Sequence, residues 1–203
     1  ELLAGGLIGR TELELALLLE STIRRLGAQE LSFSPIVAAG AHGALPHAEP
    51  RDVKITEGQM VTIDWGARLD GYCSDCTRTY FTGQVDDAQT RAYDVVLEAQ
   101  VAAAAAVRPG PTGREVDAVA RQIIDDAGFA ENFGHGLGHG VGLDVHEAPR
   151  LSRHGDAPLE EGMIVTVEPG VYVAGSYGVR IEDLMLVTAD GGVVEIGVMT
   201  LEF

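Results

Sequence analysis

An α+β chain made of two similar α/β halves facing each other is what this sequence predicts. Two segments about a hundred residues apart carry the same capped helix, a strand segment recurs without a gap, and three short apolar runs each close on an acid.

The first helix is read over Gly9 to Gly27. Thr11 and Glu14 have capping-box spacing, Leu15, Leu18, Leu19, Ile23 and Leu26 recur at a helical period, and glycine closes the run. A strand is expected from Leu31 to Ala39, then a loop from Gly40 to Pro50 that carries His42 and His47 and is a candidate pocket wall. Met60 to Asp64 and Tyr72 to Phe81 read as neighbouring strands joined through Arg68-Leu69-Asp70-Gly71, where Asp-Gly signals a hairpin. A long alanine-rich helix runs from an Asp86 N-cap to Arg108, where Pro109-Gly110 stops it. The second repeat helix follows, with Thr112 and Glu115 as its capping box and Gly128 at its end. Its Val116, Val119, Ala120, Ile124 and Ala127 match the apolar face of the first. Phe133 to Gly142 is too glycine-rich for a helix or a plain strand, and such glycines let backbone approach a ligand. The last third reads as antiparallel strands at Met163 to Glu168, Val171 to Val173, Val179 to Ile181, Leu184 to Thr188 and Val193 to Ile196.

The acids that close apolar runs are Asp64, Glu168 and Glu182. A bare carboxylate is costly to bury, so an acid at the end of an apolar strand needs a partner. Glu57 to Gly66 aligns with Glu161 to Gly170 and sets Asp64 on Glu168, so each half offers an acid at an equivalent strand end. Asp75, eleven residues after Asp64, and His139, in the glycine-rich segment, complete the group. Taken alone, Asp75 reads equally well as a surface acid paired with Arg78. Together, four carboxylates and one imidazole form the oxygen-rich shell that two divalent cations prefer, and the cations' charge balances the acids'. Such a site would straddle the pseudo-twofold axis.

Composition narrows the function classes. With 203 residues and 46% hydrophobic content the chain suits one sizeable core, and no charged or low-complexity linker divides it. A formal charge of −17 argues against a nucleic-acid backbone or an anionic membrane as partner. No run is long enough to span a membrane, and no signal peptide is visible. Cys73 and Cys76 are spaced like a redox pair or half a zinc site, but an extended strand turns them to opposite faces, which fits reduced cytoplasmic thiols better. His42 and His154 are read as solvated or locally hydrogen-bonded.

The segments DWGA, GYCSDCTRT, HGLGHGVGLDVHE, TVEPG and VRIED, in this order and at these intervals, resemble the pita-bread metallopeptidases, and among them the Xaa-Pro peptidases. The resemblance runs from Leu13 to Val194. It implies a pita-bread fold, two metal ions on Asp64, Asp75, His139, Glu168 and Glu182, and hydrolysis of the bond before proline in short peptides. By the same resemblance Glu168 is general acid/base as well as ligand. His146 and His47 contact substrate and stabilise the transition state without binding metal, and Arg180 and Tyr172 belong to the substrate pocket. His135 is expected to brace the metal shell rather than join it. Manganese is the first expectation for a carboxylate-rich shell, with cobalt or zinc able to substitute. Family tendency adds a homodimer, and nothing in residues 1–203 corresponds to the family's separate N-terminal domain.

Two rival functions are weighed against this one. A methionine aminopeptidase shares the fold and ligands, but the ALPHAEP loop and Val179-Arg180-Ile181-Glu182-Asp183 resemble the proline-specific branch. A non-catalytic pita-bread binding protein would have lost ligands, and here none is lost. A zinc-protease reading of His146-Glu147 fails because Arg150 stands where the second histidine belongs.

Overall fold

A computed structural model of the protein describes residues 3–196. Helix α1 (Glu12–Arg25) starts as predicted: the Thr11 hydroxyl accepts from the Glu14 N–H at 3.1 Å, and the Glu14 carboxylate accepts from the Thr11 N–H at 2.7 Å. Leu15, Leu19 and Ile23 bury against Val37 and Ile63. Each such side chain contributes about 1.5–3 kcal/mol by leaving water. Leu26, expected on the same face, is exposed, because it is the C-cap and lies past the last packed turn.

The strand expected over Leu31 to Ala39 is two, β1 (Glu30–Leu31) and β2 (Ile36–Ala39), separated by Pro35, which has no N–H to donate to a ladder. The loop beyond β2 begins with a short 3-10 helix, Gly40–Ala44. Strand β3 (Met60–Trp65) leads through β4 (Ala67–Leu69) to the expected hairpin, with φ of 52° at Asp70 and 89° at Gly71, and β5 (Tyr72–Cys73) returns. The strand predicted over Tyr72 to Phe81 breaks at Ser74-Asp75. Strand β5 pairs with β4, whereas β6 (Cys76–Phe81) pairs with β3, so Asp75 sits where the chain changes sheets.

Helix α2 (Asp87–Ala106) has the predicted Asp86 cap, completed by Gln89, and ends before Arg108. Helix α3 (Gly113–Asp126) has the Thr112 and Glu115 capping box. Strands β7 (Gly138–Gly140), β8 (Glu147–Leu151), β9 (Ile164–Val167), β10 (Gly170–Val173), β11 (Tyr177–Arg180), β12 (Asp183–Thr188) and β13 (Gly191–Ile196) follow. Among the described residues, one sheet has the order β13-β12-β9-β7-β8, another β2-β3-β6 and a third β1-β4-β5, while β10 and β11 form a hairpin. Helix α3 covers the first of these with Val116, Ala120 and Ile124 packed among Leu137, Leu151 and Val165.

Two strands depart from the sequence reading. Strand β8 is unanticipated, and the glycine-rich segment supplies β7. Its glycines serve a neighbouring backbone rather than a ligand: a Cβ on Gly138 would collide with the Thr166 carbonyl oxygen, and one on Gly140 with that of Ala148.

The repeat is visible in hydrogen bonds. Gly9 N donates to Ile55 O and Ile55 N to Arg10 O, both at 2.8 Å. Gly110 N donates to Leu159 O at 2.9 Å, and Leu159 N to Pro111 O at 2.8 Å. The N-cap threonines make matching bridges, Thr11 to Lys54 and Thr112 to Pro158. In one half β3 lies between β2 and β6, and in the other β9 lies between β7 and β12. The halves meet along β11. The Arg180 N–H donates to the Thr79 hydroxyl at 3.1 Å, the Glu182 N–H donates to Thr77 O at 3.1 Å, and a Cβ on Gly178 would collide with the Gly43 carbonyl oxygen. Among the described residues, no helix is long and apolar enough to cross a membrane.

Candidate metal centre

The acids converge on this seam. Asp64 is in β3 with its Cα opposite that of Thr77, Asp75 precedes β6, Glu168 follows β9, and Glu182 precedes β12. Asp64, Asp75 and Glu182 are all buried, and they offer oxygens within 4.8 Å of one another. His139, the centre of β7, sets its Nε2 at 3.7 Å from Asp75 Oδ2 and 3.1 Å from Glu168 Oε1. The surface pairing of Asp75 with Arg78 does not occur. The Arg78 guanidinium instead donates to Asp183 at 2.6 Å and to the Glu182 carbonyl oxygen, tying β6 to β12.

Burial and mutual repulsion dominate the electrostatics. Burial, then the charges of Asp64 and Glu168, push the Asp75 carboxyl up to about 8. Burial likewise drives Glu182 well above the ordinary carboxyl range, with Asp75, Glu168 and Asp64 adding to it. Asp64 is raised by burial even though Arg180 Nη2 donates to its Oδ2 at 2.6 Å. Glu168 goes the other way: burial raises it, but the His139 hydrogen bond and charge bring it below its usual value. Asp64 Oδ1 and Glu182 Oε1 are buried without any hydrogen-bond partner. Orphaned carboxylate oxygens are rare in folded proteins and expensive, and cations placed among them would satisfy both. The donor set therefore fits divalent metal.

His139 is oriented for such a role. Its Nδ1 donates to the Gly140 carbonyl oxygen at 3.0 Å, which leaves Nε2 as the ring atom facing the acids. Its main-chain N–H donates to the Thr166 hydroxyl at 3.0 Å, and that hydroxyl donates to Glu168 Oε1 at 3.0 Å. Across the seam the Thr77 hydroxyl donates to Glu182 Oε2 at 2.7 Å. Neither threonine is marked by the sequence reading, although Thr166, within a Val/Ile strand two residues before an acid, carries a readable signal. A further repeat was also missed. Gly71 to Asp75 spans the same interval as Gly178 to Glu182, so these two acids also correspond.

The remaining predicted residues surround the acids. His146 lies at the surface with its ring 4.3 Å from that of His139, and a ring nitrogen of each lies close to an Asp75 carboxylate oxygen in a second possible ligand group. Burial and the neighbouring His139 lower its pKa. His47 is exposed and lines a cleft of about 260 Å³ with Asp64, Asp75, His146, Arg180 and the apolar Phe33 and Ile36. Arg180 is buried beneath this cleft, donating to Asp64, to the Tyr172 hydroxyl at 2.8 Å and to Pro46 O at 3.1 Å. The Tyr172 hydroxyl is within 2.9 Å of His135 Nε2, and the His135 Nδ1 is 2.7 Å from Gly136 O. His135 thus braces the loop before His139. Cys73 and Cys76 are free and buried, with Sγ atoms directed to Leu143 O and Glu182 O respectively. His42 is not solvated; it contacts the Glu12 carboxylate at 3.0 Å.

Comparison with known proteins identifies the family. The model of metallopeptidase family M24 matches residues 4–189. An Xaa-Pro dipeptidase of Pyrococcus furiosus is 44% identical over 183 residues, which cover 90% of this chain and 53% of that protein. The solved prolidase from Pyrococcus furiosus superposes with a TM-score of 0.93 at 41% identity, covering 97% of this chain and 59% of that one. The Xaa-Pro dipeptidase from Bacillus anthracis gives 0.93 at 46% identity, covering 95% and 54%. The chain spans about half the length of the curated relatives it matches. With the two-halved α+β architecture of the pita-bread fold, the chain belongs to metallopeptidase family M24.

Proposed function

We propose that this chain is the catalytic unit of a dinuclear metallo-exopeptidase that hydrolyses the bond preceding proline in short peptides. The observation that carries the reading is the convergence of Asp64, Asp75 and Glu182, with His139 Nε2 facing both Asp75 and Glu168, beside carboxylate oxygens left without partners. Asp64, Asp75, His139, Glu168 and Glu182 would hold two divalent ions, manganese before cobalt or zinc because oxygen predominates. Bound there, the ions would supply Lewis acidity and ease deprotonation of the attacking water.

The chain's own groups do the rest. Glu168, oriented by the Thr166 hydroxyl that donates to its Oε1, takes the proton from the attacking water and delivers it to the proline nitrogen as that bond breaks. The His146 imidazole donates a hydrogen bond to the substrate carbonyl oxygen as charge develops there. His47 lines the same cleft and contacts the bound peptide. Arg180, fixed by Tyr172, orients Asp64 and opposes the upward pull of burial on its carboxyl. The proposal includes a homodimer and a cytoplasmic setting, the latter supported by two buried reduced thiols.

The test is metal content and turnover of an Xaa-Pro dipeptide, with Met-Ala as comparison, for wild type, Asp75→Asn and Glu168→Gln. Wild type should bind two ions and prefer Xaa-Pro. Asp75→Asn should lose metal, and Glu168→Gln should lose about 10²–10⁴ in kcat. Equal activity in all three would refute the assignment, preference for Met-Ala would favour a methionine aminopeptidase, and a wild type that binds no metal would favour a binding protein.

A further inference from the structure

The segment that carries His47 to the cleft leaves β2 after Ala39 and returns at Arg51, and both of its ends are held by one side chain far away in sequence. Glu12, in the first turn of α1, is 1% exposed. Its Oε1 accepts from Ala39 N–H at 3.0 Å and from Arg51 Nη2 at 3.0 Å. Its Oε2 accepts from Arg51 N–H at 3.0 Å and Arg51 Nε at 3.1 Å. His42 Nδ1 lies 3.0 Å from Oε2 and 3.1 Å from Oε1, and beside an ionised carboxylate, which only accepts, that nitrogen must carry the hydrogen. The tip of the same segment is fixed by Arg180, which donates to Pro46 O at 3.1 Å. His47 therefore stands between a clamp at the ends of its loop and a clamp at the residue before it.

The other half uses a comparable device. On α3, Asp117 and Arg121 form a buried pair at 2.8 Å. Arg121 donates to the carbonyl oxygens of Phe133 and His135, and Asp117 accepts from Leu137 N–H at 3.0 Å. That pair grips the approach to His139. In each half a charge on the buried face of the repeat helix holds the loop that brings a histidine to the seam.

We propose that Glu12 is a positioning residue for substrate turnover, acting through the His47 loop and through no contact with metal or substrate. The inference rests on the Xaa-Pro peptidase reading, in which His47 faces the substrate. A carboxylate that satisfies both ends of a loop removes that loop's freedom before substrate arrives, and displacement of a contacting group by an ångström weakens turnover without altering the metal ligands.

The experiment is a double-mutant cycle on the full chain, with metal content measured for every variant. Glu12→Gln keeps the shape and removes the charge. It should keep its metal and lose roughly tenfold or more in kcat/KM. In a His47→Ala background the same change should cost less than about twofold, since the group it positions is gone. Limited trypsin digestion gives a readout independent of activity: Arg51 should be an early cleavage site in Glu12→Gln and protected in wild type. Full multiplicative loss in the His47→Ala background, unchanged turnover in Glu12→Gln, or equal cleavage at Arg51 overturns the proposal. If Glu12→Gln does not fold, Glu12→Asp is carried through the same cycle, and if neither folds, Glu12 is scaffold and the proposal falls. A wild type without Xaa-Pro turnover overturns the functional reading instead, and the trypsin result still decides whether Glu12 anchors the loop.

Discussion

Glu12 and Glu182 are equally buried, yet their carboxyls move in opposite directions from the ordinary value. Burial raises both. Around Glu12 the Arg51 guanidinium, two main-chain N–H groups and His42 outweigh it, whereas around Glu182 three neighbouring acids reinforce it. Because the folded Glu12 lies below its unfolded value, its contribution to stability is full above the ordinary glutamate range and is lost as pH falls through the depressed value. Glu12→Gln should therefore cost about 2 kcal/mol at neutral pH and little in acid, read from urea midpoints under both conditions. Asp64, Glu168 and Glu182 were legible because an acid ending an apolar strand has no bland explanation, whereas Asp75 was legible only through its spacing from Asp64. Glu12 was not, because an acid in a first helical turn is expected from the helix dipole alone. Its signal was periodicity: it precedes Leu15 by three and Ala16 by four, on the buried face, just as Asp117 and Arg121 share the face of Ala120 and Ile124.

At the level of elements, capping boxes and glycine stops placed all three helices within a few residues, since those signals are local. Strands were harder. Pro35 split one run and Ser74-Asp75 another, and the second break shapes the candidate site, because leaving the ladder is what lets Asp75 face the other acids. Strand β7 is not legible because its place in the ladder, paired with β8 on one side and β9 on the other, is a tertiary demand that glycine composition conceals. Its glycines have a steric role that can be measured. Gly138→Ala would press a methyl group on the Thr166 carbonyl oxygen and should destabilise the fold by about 1–3 kcal/mol in urea denaturation. Since His139 is the next residue, metal affinity should fall with it. Unchanged stability would show that β7 and β9 are less closely held than their geometry implies.

For the whole molecule, the internal repeat explains why the site exists at all. Two capped helices and two three-strand units with matching hydrogen bonds bring equivalent acids, Asp64 with Glu168 and Asp75 with Glu182, to the same seam from opposite sides. Thr77, Thr166 and Arg180 hold Glu182, Glu168 and Asp64 there, and bound cations would offset the repulsion that raises Asp75 and Glu182. Resonant diffraction at the manganese edge, from crystals of this chain grown with the ion, tests that claim most directly. Two peaks should appear, bridged by Asp75 and enclosed by Asp64, His139, Glu168 and Glu182. No peak there under saturating manganese, or peaks confined to surface acids, would contradict the account.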